Sequence, residues 1–104
     1  MKNKYRDHTC NDLTLDTVGS RVKVSGWIEN IRDHGGILFL DIRDHYGVVQ
    51  IVSHDDNMFK NVTKESTISC EGIVTKRDPE MVNPKIKTGE IEIVVDKFEV
   101  LGKA

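Results

Sequence analysis

Long apolar runs are missing from this sequence: stretches such as Gly36 to Leu40 fall far short of the roughly 20 residues a membrane-spanning helix needs. The N-terminus, Met1-Lys2-Asn3-Lys4-Tyr5-Arg6-Asp7-His8, has no apolar segment behind it of the kind an export signal carries. There are only two cysteines, Cys10 and Cys70, with no CxxC and no metal-like spacing. The expectation is a chain in a reducing cytoplasm. A charge excess is missing too, since 15 Lys and Arg stand against 17 Asp and Glu, a net −2. That balance argues against a generic polycationic nucleic-acid binder. No GxSxG, P-loop or Cys–His arrangement is present, so no catalytic residue is assigned. Asp41, Asp44, His45, His54, Asp55 and Asp56 match no HExxH or EF-hand spacing, and no metal site is expected.

What is present is an ordinary folding composition, 38% hydrophobic and 31% charged over 104 residues. That length is one domain, with room for one core but not for a core plus a large catalytic cleft. Most of it reads as strands. Arg21 to Asn30 alternates, with Val22, Val24 and Ile28 on one parity, and Gly26 marks a bend. His34-Gly35-Gly36 turns into a second strand, Ile37 to Ile42, and Asp44 to Gly47 turns into a third, Val48 to Ser53. Asp55 to Glu65 loses the alternation, and Met58, Phe59 and Val62 there predict one short amphipathic helix. A fourth strand, Thr67 to Thr75, leads into a polar loop, Lys76 to Gly89, before a fifth strand from Glu90 to Leu101. Five strands with one short helix between the third and fourth are the layout of an all-β Greek-key OB-fold barrel. An SH3-like barrel is the competing all-β reading, and it lacks the helix.

Parity singles out the second and third strands. Leu38, Leu40 and Ile42 form the core set, which puts Phe39 on the wetter face. Val49 and Ile51 inward place Gln50 outward. An exposed ring offers a base a stacking platform worth roughly 1–3 kcal/mol, and a nearby amide offers a donor and an acceptor. The alternative is that Phe39 packs beneath the Lys76–Gly89 loop. Arg21, Lys23, Arg32 and Arg43, with Lys76 and Arg77, are expected to border one groove where phosphates run. The bland alternative is a solvated surface of interspersed charges.

A set of motifs then stands out: Tyr5-Arg6-Asp7-His8-Thr9-Cys10, Val18-Gly19, Gly26-Trp27-Ile28, Arg32-Asp33-His34-Gly35-Gly36, Leu38 to Asp44, Gly47 to Gln50, and Thr88-Gly89-Glu90-Ile91-Glu92. Together they resemble the N-terminal anticodon-binding domain of bacterial aspartyl-tRNA synthetase, of class IIb, over nearly the whole chain. The resemblance implies that the central anticodon uridine stacks on Phe39 and is read by Gln50. It implies that Arg32 contacts anticodon bases and backbone, and that Arg77 and Asn83 sit on the loop closing over the anticodon. Glu92 matches the acidic residue that accepts from the first, guanine-type base. Asp41 and Arg43 are expected to support the strand-two scaffold. His34 and Glu80 depart from the leucine and lysine common in strict enzymes. They point to the non-discriminating type, whose partners are tRNA-Asp and tRNA-Asn, which differ chiefly in the third anticodon base. The family activates aspartate with ATP and Mg2+ in a catalytic domain for which this chain has no motif. Residues 1–104 alone are therefore expected to be an anticodon-binding fragment, monomeric and non-catalytic, within a homodimeric enzyme. The main alternative is a free-standing single-stranded nucleic-acid-binding OB protein.

Overall fold

Alternating apolar residues carry each of the five strands close to its expected limits. In the computed structural model, which describes residues 8–54 and 62–102, β1 is Arg21–His34 and β2 is Ile37–Arg43. Then come β3, Val48–Ser53, β4, Thr67–Lys76, and β5, Ile91–Gly102. Neighbours run β1-β2-β3-β5-β4, and the ring closes because β1 serves two partners. Arg21 to Trp27 lie antiparallel to β4, and Trp27 to His34 lie antiparallel to β2. The changeover falls one residue after Gly26. A side chain there would run into the Arg43 carbonyl oxygen, so glycine is what lets β1 turn the corner against β2. The β1–β2 register then shifts between Ile28 and Asn30, an irregularity that lets the strand curl. β3 pairs parallel with β5 through Ile51–Ile93 and Val52–Val94. This is the five-stranded OB-fold architecture expected.

The β1–β2 turn has Gly35 and Gly36 at φ 64° and 91°, the left-handed pair a two-residue hairpin loop demands. The Asp33 carboxylate accepts the Gly36 N–H at 3.1 Å. The helix expected over Asp55–Glu65 falls mainly on residues 55–61, outside those described. Val62 packs against the core, and Lys64 and Glu65 form a turn before β4. Three short 3-10 turns, Cys10–Asp12, Leu15–Thr17 and Pro79–Met81, had no counterpart in the sequence pattern. A three-residue turn is too short to show a period.

Leu38, Leu40, Ile42, Val49 and Ile51 are buried as their parity predicts, among Val22, Val24, Ile28, Ile68, Ile91 and Ile93. Each such side chain contributes about 1.5–3 kcal/mol of burial free energy. Both cysteines are free thiols in this core, and burial pushes Cys70 up to about 12, so it stays protonated. One strand departs from simple alternation. β3 is buried on both faces after Val48, because its outward side chains are covered by the polar chain and loop described next.

Candidate nucleic-acid interface

Outward parity on neighbouring strands brings four polar side chains into a row. Asp41 of β2 faces Gln50 of β3 across the sheet, Arg32 of β1 lies beside Phe39, and Glu92 precedes the β5 residues paired with β3. Arg32 grips Asp41 with Nη1 at 2.9 Å and Nη2 at 3.3 Å. The same Nη2 donates to Gln50 Oε1 at 2.9 Å, and Gln50 Nε2 donates to Glu92 Oε1 at 2.9 Å. Gln50 is only 2% exposed, and this chain satisfies both ends of its amide. Burial pushes the Glu92 carboxyl above the ordinary range, against the opposing pull of the Gln50 hydrogen bond and the Arg77 charge.

The segment from Lys76 to Gly89 folds back over this row. Its anchor is Arg77, 5% exposed, whose Nε donates to the Ile91 carbonyl at 2.8 Å and whose Nη1 donates to the Met81 carbonyl at 3.2 Å. Burial lowers its guanidinium pKa, with Glu92 the main charge acting the other way. Its remaining nitrogen, Nη2, is buried without a hydrogen-bond partner among the described residues. Asn83 closes the loop. Its Oδ1 accepts the Lys85 N–H at 3.0 Å, and its backbone accepts from Ile86 and donates to Gly89. The Thr88 hydroxyl donates to the Val48 carbonyl, tying the loop's end to β3.

Between loop and sheet lie two adjoining hollows that share Glu80 and Met81 as walls. The first, about 420 Å³, is polar and contains Arg32, Asp41, Arg43, Gln50, Arg77 and Asn83. The second, about 340 Å³, is built around Phe39 with Ile37, Val52 and Met81, and is rimmed by His34, His54, Asp78 and Glu92. Phe39 stands outside the barrel core, half-buried, with its ring facing this hollow rather than sealed under the loop. The exposed His34 ring meets it edge-on at 5.4 Å and 77°. Thus all eight candidate residues, Phe39, Gln50, Arg32, Glu92, Arg77, Asn83, His34 and Glu80, line one or both hollows.

The grouping of charges needs correction. Arg21 pairs with Glu71 and with Asp96 at 2.8 Å, and Lys23 lies 3.8 Å from Glu71. Both belong to the half of β1 that pairs with β4, so they do not border the groove with Arg32 and Arg43. A strand shared by two halves of a barrel delivers its two ends to different faces. Arg43, raised in pKa by its hydrogen bond to Glu29 at 2.8 Å, braces β2 against β1 as expected. Sequence reasoning missed Ile37, Val52, His54, Asp78 and Met81 as walls. Val52 and Ile37 share the outward parity of Gln50 and Phe39, which is the signal that finds them. Met81 had only Pro79, a turn former two residues earlier.

Comparison with known proteins gives this geometry a context. The family model described as an OB-fold nucleic acid binding domain matches residues 22–101. The "Aspartate--tRNA(Asp/Asn) ligase" of Paracoccus denitrificans is 46% identical over 104 residues, covering 96% of this chain and 18% of the relative. The "Aspartate--tRNA ligase" of Streptomyces avermitilis is 49% identical, over 97% of this chain and 18% of the relative. The chain therefore spans about a fifth of the length of these relatives. Among solved structures, asparaginyl-tRNA synthetase from Pyrococcus horikoshii superposes with a TM-score of 0.75 at 28% identity, over 93% of this chain and 23% of that one.

Proposed function

The chain belongs to the OB-fold nucleic acid binding domain family, and from that premise we propose that it is the anticodon-reading part of an aspartate–tRNA ligase. The observation that carries the reading is the pairing of a half-exposed ring, Phe39, with an oriented amide, Gln50, beneath a loop that leaves room for bases. Phe39 and Gln50 are diagonal neighbours across β2 and β3, a separation within reach of aromatic and long side chains. A base stacked on the ring therefore has the amide at its edge.

Each candidate residue has a role that its remaining valences allow. Gln50 keeps one N–H and one lone pair for the middle anticodon base, after its bonds to Glu92 and Arg32. Arg32 keeps Nε and one Nη1 hydrogen for a base or phosphate. Glu92 keeps Oε2, an acceptor suited to the N–H edge of a guanine-type first base. Arg77 acts from beneath the loop by holding it over the hollow through Ile91 and Met81, and Asn83 offers its side-chain amide nitrogen. These roles support a partner that is single-stranded and read base by base, namely the tRNA-Asp anticodon loop.

His34 and Glu80 extend the proposal to tRNA-Asn. His34 leans on Phe39 at the rim, and the exposed Glu80 stands between the two hollows, where it adds no attraction for phosphate. Relatives carrying the Asp/Asn name and relatives carrying the Asp name alone match at similar identity, so these two residues carry the point. Activation of aspartate with ATP and Mg2+ is proposed for the part of the longer enzyme that this chain does not span. That enzyme is proposed to be a cytoplasmic homodimer. Among the described residues, no three His, Cys, Asp or Glu side chains converge as metal ligands, and no helix is long and apolar enough to cross a membrane.

Titration of the 104-residue chain with anticodon stem-loops tests the reading. The tRNA-Asp and tRNA-Asn loops are expected to bind comparably, and a changed middle base to bind weakly. Phe39→Ala is expected to cost about 1–3 kcal/mol of affinity. Indifference to the middle base would favour a general single-strand binder instead.

A further inference from the structure

The polar row does more than fill valences, because its two ends differ in kind. Arg32 has only donors, and an ionised Glu92 has only acceptors. Gln50 lies between them, Oε1 toward Arg32 and Nε2 toward Glu92. Turning the amide over would set oxygen against carboxylate and N–H against guanidinium. The clamp depends in turn on Arg32 staying in place, and Arg32 is held by two hydrogen bonds to Asp41, a carboxylate on the neighbouring strand.

We propose that Asp41 is a positioning residue which, through Arg32, locks the Gln50 amide in the orientation that accepts uracil and refuses cytosine beside Phe39. This rests on the anticodon reading above and deepens it. Uracil presents an N–H between two carbonyls, so its ring N–H meets Oε1 while either carbonyl meets the free Nε2 hydrogen. Cytosine in the same pose sets its unprotonated ring nitrogen against Oε1, lone pair to lone pair. An amide free to turn over would relieve that clash by offering Nε2 to the ring nitrogen and Oε1 to the amino group. A pyrimidine-reading amide therefore discriminates only while it is held, and the side chain that holds it need not touch the base.

The measurement is the ratio of affinities for two stem-loops that differ only in a middle uridine or cytidine. Asp41→Ala is expected to lower the uridine-to-cytidine ratio about ten-fold, within the discrimination a two-bond contact supplies. Most of the change should come from stronger cytidine binding. Asp41→Ala/Glu92→Gln, which releases the second end of the clamp, is expected to bring the ratio near one, and Asp41→Glu to restore part of it. If Asp41→Ala does not fold by its melting profile, Asp41→Asn keeps the volume and carries the test, with a several-fold fall expected. A ratio unchanged in the folded variant, whatever happens to overall affinity, overturns the proposal. Phe39→Ala separates the two levels. It should weaken both stem-loops and keep the ratio, so a stack that does not matter sinks the anticodon reading, whereas an unchanged ratio in Asp41→Ala sinks only the lock. A wild-type chain with no preference sinks both.

Discussion

Glu92 is the residue at which the proposed recognition role and the demands of the fold pull apart. Its carboxyl is raised by burial, more than the Gln50 hydrogen bond and the Arg77 charge lower it. A raised folded-state value means the group favours the native state below the ordinary glutamate range of about 4.3 and loses that contribution as pH rises through the raised value. At neutral pH the ionised carboxylate is therefore a net cost to the fold, which the proposed role as a base acceptor accounts for. Glu92→Gln should be more stable than the parent at pH 7, with the gap closing toward pH 4. Urea melts at the two pH values check this; a variant less stable at pH 7 would show that the Arg77 partnership outweighs burial. The same variant should bind the stem-loop less well. The outward parity of Gln50 and Phe39 was legible from alternation alone, whereas the register that makes them diagonal neighbours was not. Arg77 was legible only as a loop cation. That its guanidinium is buried and staples Ile91 to Met81 depends on how the loop folds back, which no local pattern encodes.

At the level of elements, the long first strand decides where everything else goes. β1 gives its first half to β4 and its second to β2, and Gly26 sits beside the changeover. The obstruction at Gly26 is backbone, the Arg43 carbonyl, rather than the flexible end of a side chain. Gly26→Ala is therefore expected to destabilise the chain by about 1–3 kcal/mol through overpacking at the corner. Chemical denaturation measures that directly, and a neutral substitution would mean that β1 and β2 part without cost. The bend was readable as a glycine interrupting an alternating run, and the strand ends came within a few residues. The division of labour along β1 was not readable. It separates Arg21, tied to Glu71 and Asp96, from Arg32, tied to Asp41, although both are outlying arginines of one strand. Only the closed ring, in which two ends of a strand face different partners, explains why the expected single basic groove does not form.

On the scale of the whole molecule, a net charge of −2 and a nucleic-acid-binding fold are compatible because the two hollows are lined by only three Lys or Arg side chains, each already engaged or buried. Around the two hollows, Arg32 is matched by Asp41, Arg43 by Glu29, and Arg77 is buried beneath its loop. Glu80, Asp78 and Glu92 stand at the same site. Such a surface cannot draw its affinity from the release of many counterions. Single-stranded binding loses affinity with salt at a slope of about −0.7 per phosphate neutralised. With Arg32 and Arg43, the two half-exposed cations that line the hollows, each meeting one phosphate beside its carboxylate, the expected slope of log affinity against log salt is about −1.4, shallow for a nucleic-acid binder. Stem-loop titrations between about 50 and 200 mM salt measure it. A slope several times steeper would mean that phosphate contacts outside these hollows dominate, whereas a shallow slope with strong dependence on the middle base leaves stacking on Phe39 and the held Gln50 amide as the source of binding.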